Sequence, residues 1–152
     1  MYSLISIPLT ADTTLLNHIH ANGPVLRLNA TAGLTATLPA ATGSGARYYF
    51  EVFALATSNS YKIQVANATD YFMGVITGAR TDSGNAVLGF AAANSGTVAT
   101  NSDTITLNRT TTGSVNVGEW IAIEDAATNV WQVRGVLTAT GAAFATPFSA
   151  AV

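Results

Sequence analysis

The sequence predicts an all-β protein, a single-domain β-sandwich or jelly-roll-like barrel built from short strands. Three observations predict it: a dominant hydrophobic period of two, turn-forming clusters between the periodic runs, and threonine at many polar strand positions. Successive side chains of a strand point to opposite faces, so this period marks strands with one buried face. Threonine is β-branched and fits the water side of a pleat.

From the N-terminus, residues 1–22 read as an arm or an edge strand and residues 23–152 as the sandwich domain. Residues 12–20 are the one passable helical stretch, with Asp12 or Thr13 as N-cap. Leu26 and Leu28 flank Arg27, and Leu34, Ala36 and Leu38 alternate with Thr35 and Thr37. Next, Tyr48, Phe50 and Val52 share one face, with Arg47, Tyr49, Glu51 and Phe53 on the other. Tyr61, Ile63 and Val65 alternate with Lys62 and Gln64, and Ile105 and Leu107 with Thr104, Thr106 and Asn108. Trp131, Val133 and Leu137 alternate with Gln132, Arg134 and Val136. Turn residues cluster at 39–45, 57–60, 67–70, 81–85, 94–96, 110–113 and 125–129. Many short strands between such turns imply a sandwich rather than a sheet with crossover helices. Residues 89–104 read as an irregular connection. Residues 59–65 resemble residues 101–107, as equivalent strands in two sheets or by chance; two copies are fewer than a solenoid needs.

A chain of 152 residues has the size of one domain and can bury its own core. With 49% hydrophobic residues and a formal net charge of −2, it should fold rather than stay disordered. The anomaly is charge: 9% of residues carry one, against about 25% in an ordinary soluble domain. Mean hydropathy is +0.34, yet no stretch approaches the roughly 18 consecutive apolar residues of a spanning helix. The apolar run at 86–93 is short and broken by glycine. Five tyrosines and two tryptophans, scattered, do not form the girdles of a membrane barrel. The first residues lack the basic and apolar regions of a secretory signal, so the sequons at Asn29, Asn67 and Asn108 read as chance products of an Asn/Thr-rich chain. The absence of cysteine rules out disulfides and thiolate chemistry. Arg27, Arg47, Lys62, Arg80, Arg109 and Arg134 are spread singly. Nucleic acid needs clustered cations, so it is not expected as a partner, and neither is a membrane.

Candidate catalytic and metal residues are sparse. His18 and His20, at i and i+2 of a strand, would share a face, but only Asp12 is near as a further ligand. No metal or other cofactor is expected. Thr81-Asp82-Ser83-Gly84 has the D-S/T-G form of an aspartic-protease motif, but Arg80 and Asn85 flank it and a solvated turn explains it better. Ser44 sits between Gly43 and Gly45, without the outer glycines of a nucleophile elbow. Glu119, Glu124 and Asp125 cluster, but Glu119 and Glu124 have opposite strand parity, whereas a glycosidase pair must converge. No enzyme activity is expected. Trp120 points outward with Ala122 and Glu124 if Ile121 and Ile123 face the core. It is then an interface anchor or a sugar platform; the alternative is a core tryptophan at a sheet edge.

A surface of threonine, serine and asparagine loses less on desolvation than one of lysine and glutamate. Interfaces are depleted in Lys, Glu and Asp, and this chain has a single lysine, Lys62. It reads as a protein covered by neighbours over much of its surface, for which a symmetric oligomer on a larger lattice is the natural setting.

Two runs sharpen this. They are residues 37–46, Thr-Leu-Pro-Ala-Ala-Thr-Gly-Ser-Gly-Ala, and, after an aromatic strand, residues 58–67, Ser-Asn-Ser-Tyr-Lys-Ile-Gln-Val-Ala-Asn. With residues 103–108, 118–121 and 131–135, they resemble tailed-bacteriophage head decoration (capsid cement) proteins over residues 35–148. The resemblance implies a small β protein, made in the host cytoplasm, that sits as a homotrimer on the outer surface of the virion. It would bind the expanded head and bridge neighbouring major capsid protein subunits; no catalytic residues transfer. The first thirty-odd residues lie outside the match, and their Tyr2, Leu4, Ile5, Ile7 and Leu9 are expected to contact the capsid or an adjacent subunit. The rival expectation is a carbohydrate-binding sandwich of a fibre or adhesin, stacking sugars on Trp120, Trp131, Tyr48, Tyr49 or Tyr61.

Overall fold

The computed structural model describes residues 5–81, 86–140 and 144–152. Tyr2, Leu4 and the Asp82-Ser83-Gly84 motif lie outside them. The strands are β1 (Ser6–Leu9), β2 (Thr13–Thr14), β3 (Val25–Leu28), β4 (Leu34–Thr37), β5 (Arg47–Val52), β6 (Tyr61–Gln64), β7 (Tyr71–Arg80), β8 (Val87–Ala91), β9 (Thr104–Leu107), β10 (Trp120–Ala127), β11 (Val130–Ala139) and β12 (Phe148–Ser149). One helical turn, α1 (Asn17–His20), and a 3-10 turn at Val98–Thr100 complete the described elements. Seven strands form one sheet in the order β1-β3-β5-β10-β11-β7-β8, and five form the other, β12-β9-β6-β4-β2.

From β1 to β7 the chain alternates between the two sheets. A strand that returns after crossing to the other sheet runs in the same direction as its predecessor. Accordingly β1, β3 and β5 pair in parallel in one sheet and β2, β4 and β6 in the other. The later strands pair antiparallel as β7–β8 and β10–β11, and β11 closes the larger sheet by running parallel to β7. Turn residues look alike whether the next strand folds back or crosses over, so the sequence pattern could not show this mixture.

The inner faces meet in one core. Leu26, Leu28, Tyr48, Phe50, Val52, Ile121, Ile123, Trp131 and Val133 face Leu34, Ala36, Tyr61, Ile63, Ile105 and Leu107, all buried. Tyr48 meets Trp131 edge to face at 5.8 Å. The Tyr61 hydroxyl donates to the Ala54 carbonyl and accepts the Ala30 N–H, tying two connecting loops to the core. Two backbone approaches require glycine. Gly33 has φ +78° and a Cβ there would stand 2.5 Å from the Ser60 carbonyl oxygen; Gly74 has φ +130° and a Cβ would stand 2.0 Å from that of Val133.

Several expectations need correction. Residues 12–20 are mostly not helical. Thr13–Thr14 pairs with β4, and the buried Leu15 sends its N–H to the Thr37 carbonyl. Asp12 caps no helix; its carboxylate accepts the Thr35 N–H at 2.7 Å. Only Asn17–His20 winds, with Leu16 at the cap position and no side-chain cap. The two similar segments are not equivalent strands of two sheets: β6 and β9 are antiparallel neighbours, with Ile63 opposite Ile105. Of the two readings of residues 1–22, an arm or an edge strand, residues 6–9 take the second, at the edge of the larger sheet; the correction is Leu9, a core residue rather than a free contact.

Candidate functional site

The parity of each strand decides what the outer faces carry, and the pairing register decides which side chains become neighbours. Across the larger sheet the outward residues form transverse rows. One runs Ser6, Val25, Tyr49, Ala122, Arg134, Val75, Ala91. The next runs Pro8, Arg27, Glu51, Trp120, Val136, Thr77, Gly89. A third carries Arg47, Glu124, Gln132 and Met73. A sheet face left to water is ordinarily polar. Here Tyr49 is 39% exposed, Met73 41%, Val75 49% and Val136 38%. Scattered single hydrophobics would mean little, but these adjoin across the strands.

Tyr49 and Trp120 are diagonal neighbours on β5 and β10, and their rings stack with centroids 5.9 Å apart and planes 17° from parallel. Each ring thus covers part of one face of the other. An open groove of about 850 Å³ lies beside Tyr49, lined by Val25, Arg47, Ala122, Gln132 and Arg134 among others. A second, of about 440 Å³, lies between Trp120, Val136, Val75 and Arg134. Two of the face's arginines are neutralised by carboxylates directly opposite in the register. Arg27 faces Glu51 at 3.8 Å and lies 4.8 Å from the Phe53 ring centre; Arg47 Nε donates to Glu124 at 3.0 Å.

The outer face of the smaller sheet is different in kind. Its rows read Thr14, Thr37, Gln64, Thr104, Ser149 and Thr35, Lys62, Thr106. No apolar residue stands in either row.

Among the described residues four acidic side chains are buried, and each gathers donors from a loop or, for Asp103, from residues 151–152. Asp125 accepts the N–H groups of Thr42, Gly43 and Ser44 and the Thr42 and Ser44 hydroxyls. Burial raises the Asp125 pKa, but these donors outweigh it, the Ser44 hydroxyl first, and hold it below the ordinary carboxylate value. Glu119 accepts the N–H groups of Ser114, Val115 and Asn116, each at 2.7 Å, and the Thr138 hydroxyl. Asp70 takes the Ala41 N–H and the Asn67 amide, and Asp103 the N–H groups of Ala151 and Val152. Of the carboxylates that clustered in sequence, Glu119 and Asp125 therefore serve loops, while Glu124 faces outward with Arg47. Ser44 is part of the Asp125 clasp.

Trp120 is half-buried on the outer face, beside Ala122 and Glu124 as its parity required. Ile5 is exposed and Ile7 half-buried beside the core. His18 and His20 occupy a helical turn, not a strand, where residues at i and i+2 diverge, and His20 Nδ1 accepts the Leu16 N–H. Among the described residues no group of three His, Cys, Asp or Glu stands close enough to hold a metal. Of the proposed sugar platforms, Trp131, Tyr48 and Tyr61 are core residues, which leaves Tyr49 and Trp120. Burial, then Asp125, pushes the Tyr48 hydroxyl up to about 12. Sequence reasoning missed the pairing of Tyr49 with Trp120 and the flanking valines and Met73. Their outward parity was visible; their adjacency depends on register between distant strands.

Among the described residues no helix is long and apolar enough to cross a membrane. In comparisons with known proteins, no family model, curated protein or solved structure matches the chain.

Proposed function

We propose that this chain is a non-enzymatic structural protein of the head-decoration kind, docking through the outer face of its larger sheet onto the expanded head of a tailed phage. One observation carries the reading: the sandwich has one aromatic and aliphatic outer face and one threonine face. The first gains by being covered; the second has no apolar row that would gain. The resemblance in residues 35–148 supplies the partner, the major capsid protein. The place of action is then the outer surface of the virion, after synthesis in the host cytoplasm.

Such a protein works by addition. Each copy contributes a modest interface that bridges neighbouring capsid subunits, and oligomerisation multiplies the contacts through effective concentration. The trimer expected from the resemblance needs a surface between copies. The β8 edge supports one: among the described residues the backbone groups of Val87, Gly89 and Ala91 face away from β7 without a partner strand, and the strand carries neither charge nor proline. The opposite edge of the sheet, β1, is interrupted by Pro8.

The test is sedimentation of purified protein with phage heads. Binding to expanded but not to unexpanded heads, with a trimer by light scattering, supports the reading; equal or absent binding to both contradicts it. Carbohydrate binding has one observation in its favour, the stacked Tyr49–Trp120 pair, whose two rings border neighbouring grooves. A glycan array tests it.

A further inference from the structure

We infer that Arg134 sets the specificity of the docking face by receiving a carboxylate of the partner protein; this deepens the docking reading and rests on it. Three arginines reach the outer face of the larger sheet. Arg27 and Arg47 stand opposite Glu51 and Glu124, whereas the register neighbours of Arg134 are Ala122 and Val75. Arg134 has no ion pair or hydrogen bond among the described residues, and it is exposed. It lines both grooves, so it stands between the aromatic pair and the exposed valines.

In the free protein water solvates this guanidinium. Once a partner covers the face, an unpaired charge there would cost more than the surrounding apolar burial returns, so the partner must bring an anion. The guanidinium presents a planar fork of donors that matches a carboxylate with two parallel hydrogen bonds. A polyanion is a poorer match, because the other two arginines of the face are already neutralised and phosphate backbones are held by several cations together. The occupant is therefore an apolar protein surface with one acidic side chain at its centre. A wrong apolar surface, lacking that acid, is rejected by the same desolvation cost.

The experiment measures binding of wild type, R134K, R134A and R134E to expanded heads at low and high salt, with K62A as a control cation on the opposite face. Arg134 is exposed, so thermal unfolding should be unchanged in all of them. The expected result is a loss of about tenfold for R134A, a loss of about a hundredfold or more for R134E, and an intermediate loss for R134K. K62A should bind as wild type, and R134A should show a weaker salt dependence than wild type. If wild type binds and R134A and R134E bind equally well, the inference falls while the docking reading stands. If wild type does not bind heads, both fall. A glycan array with acidic and neutral sugars completes it: Arg134-dependent capture of an acidic glycan would overturn the protein carboxylate as the occupant.

Discussion

The two sheets bury similar residues on their inner faces and present opposite chemistry on their outer ones. The five-stranded sheet shows water Thr35, Thr37, Gln64, Thr106 and Lys62; the seven-stranded sheet shows Tyr49, Trp120, Val136, Val75 and Met73. Charge lies mostly on the larger sheet, whose face holds Arg27, Glu51, Arg47, Glu124 and Arg134 against Lys62 alone on the other, so low charge does not mark the docking surface. The threonine face has no apolar residue in its rows and so little to gain from being covered. The aromatic face has little to gain from water, and two of its three arginines are neutralised within it. The low-charge surface that the composition suggests is thus two surfaces of different chemistry, and only one favours being covered.

The largest expected effect breaks this contrast from the apolar side. Replacing Met73 and Val136 by glutamate puts two charges among the residues to be buried, and head binding should fall by roughly a hundredfold to a thousandfold. Thermal unfolding should move little, since both side chains are exposed. Size-exclusion chromatography confirms the fold and sedimentation with heads reads the binding.

The next effect concerns the acids that neither face displays. Asp125→Asn keeps the shape but replaces a carboxylate that accepts five hydrogen bonds from residues 42–44, and should lower stability by about 3 kcal/mol in urea at neutral pH. The folded pKa of Asp125 lies below its ordinary value, so the group's contribution is present at neutral pH and lost as pH falls through the folded pKa. Wild type should therefore lose Tm steeply as pH drops below about 4, and the variant less steeply over the same range.

A smaller effect is expected at the aromatic pair. Trp120→Ala removes one of two stacked rings and should weaken head binding by about 2 kcal/mol, roughly thirtyfold, by titration against heads. The smallest belongs to the threonine face: Thr35→Glu and Thr106→Glu should each change stability and binding by no more than about 0.5 kcal/mol.

Much of the contrast was legible in the sequence. The alternation of Tyr48, Phe50 and Val52 with Arg47, Tyr49 and Glu51 assigns inner and outer faces correctly, and Ile121 and Ile123 do the same for Trp120. Strand neighbours were not legible, because pairing is a long-range choice that local period cannot carry. The parallel β1-β3-β5 pairing and the adjacency of β6 and β9 went unread for that reason. The buried carboxylates were hidden differently. Glu119 and Asp125 lie in or beside turn-rich polar stretches, where an acid reads as solvated, and only the fold shows backbone N–H groups converging on them. Leu9 and Leu15 lie in a stretch that resembled an arm, yet the core takes both. Deleting residues 1–20 would therefore remove two core leucines, β1 and β2, so loss of head binding in that variant would report unfolding rather than a lost contact.

In the proposed docking the seven-stranded sheet meets the partner and the threonine sheet does not. Chemical footprinting on expanded heads tests it directly, reading oxidation of Met73, Tyr49 and Trp120 against acylation of Lys62. Strong protection of the first three on binding is expected, with Lys62 as reactive as in the free protein. Protection of Lys62 with unchanged oxidation of Met73, Tyr49 and Trp120 would contradict it.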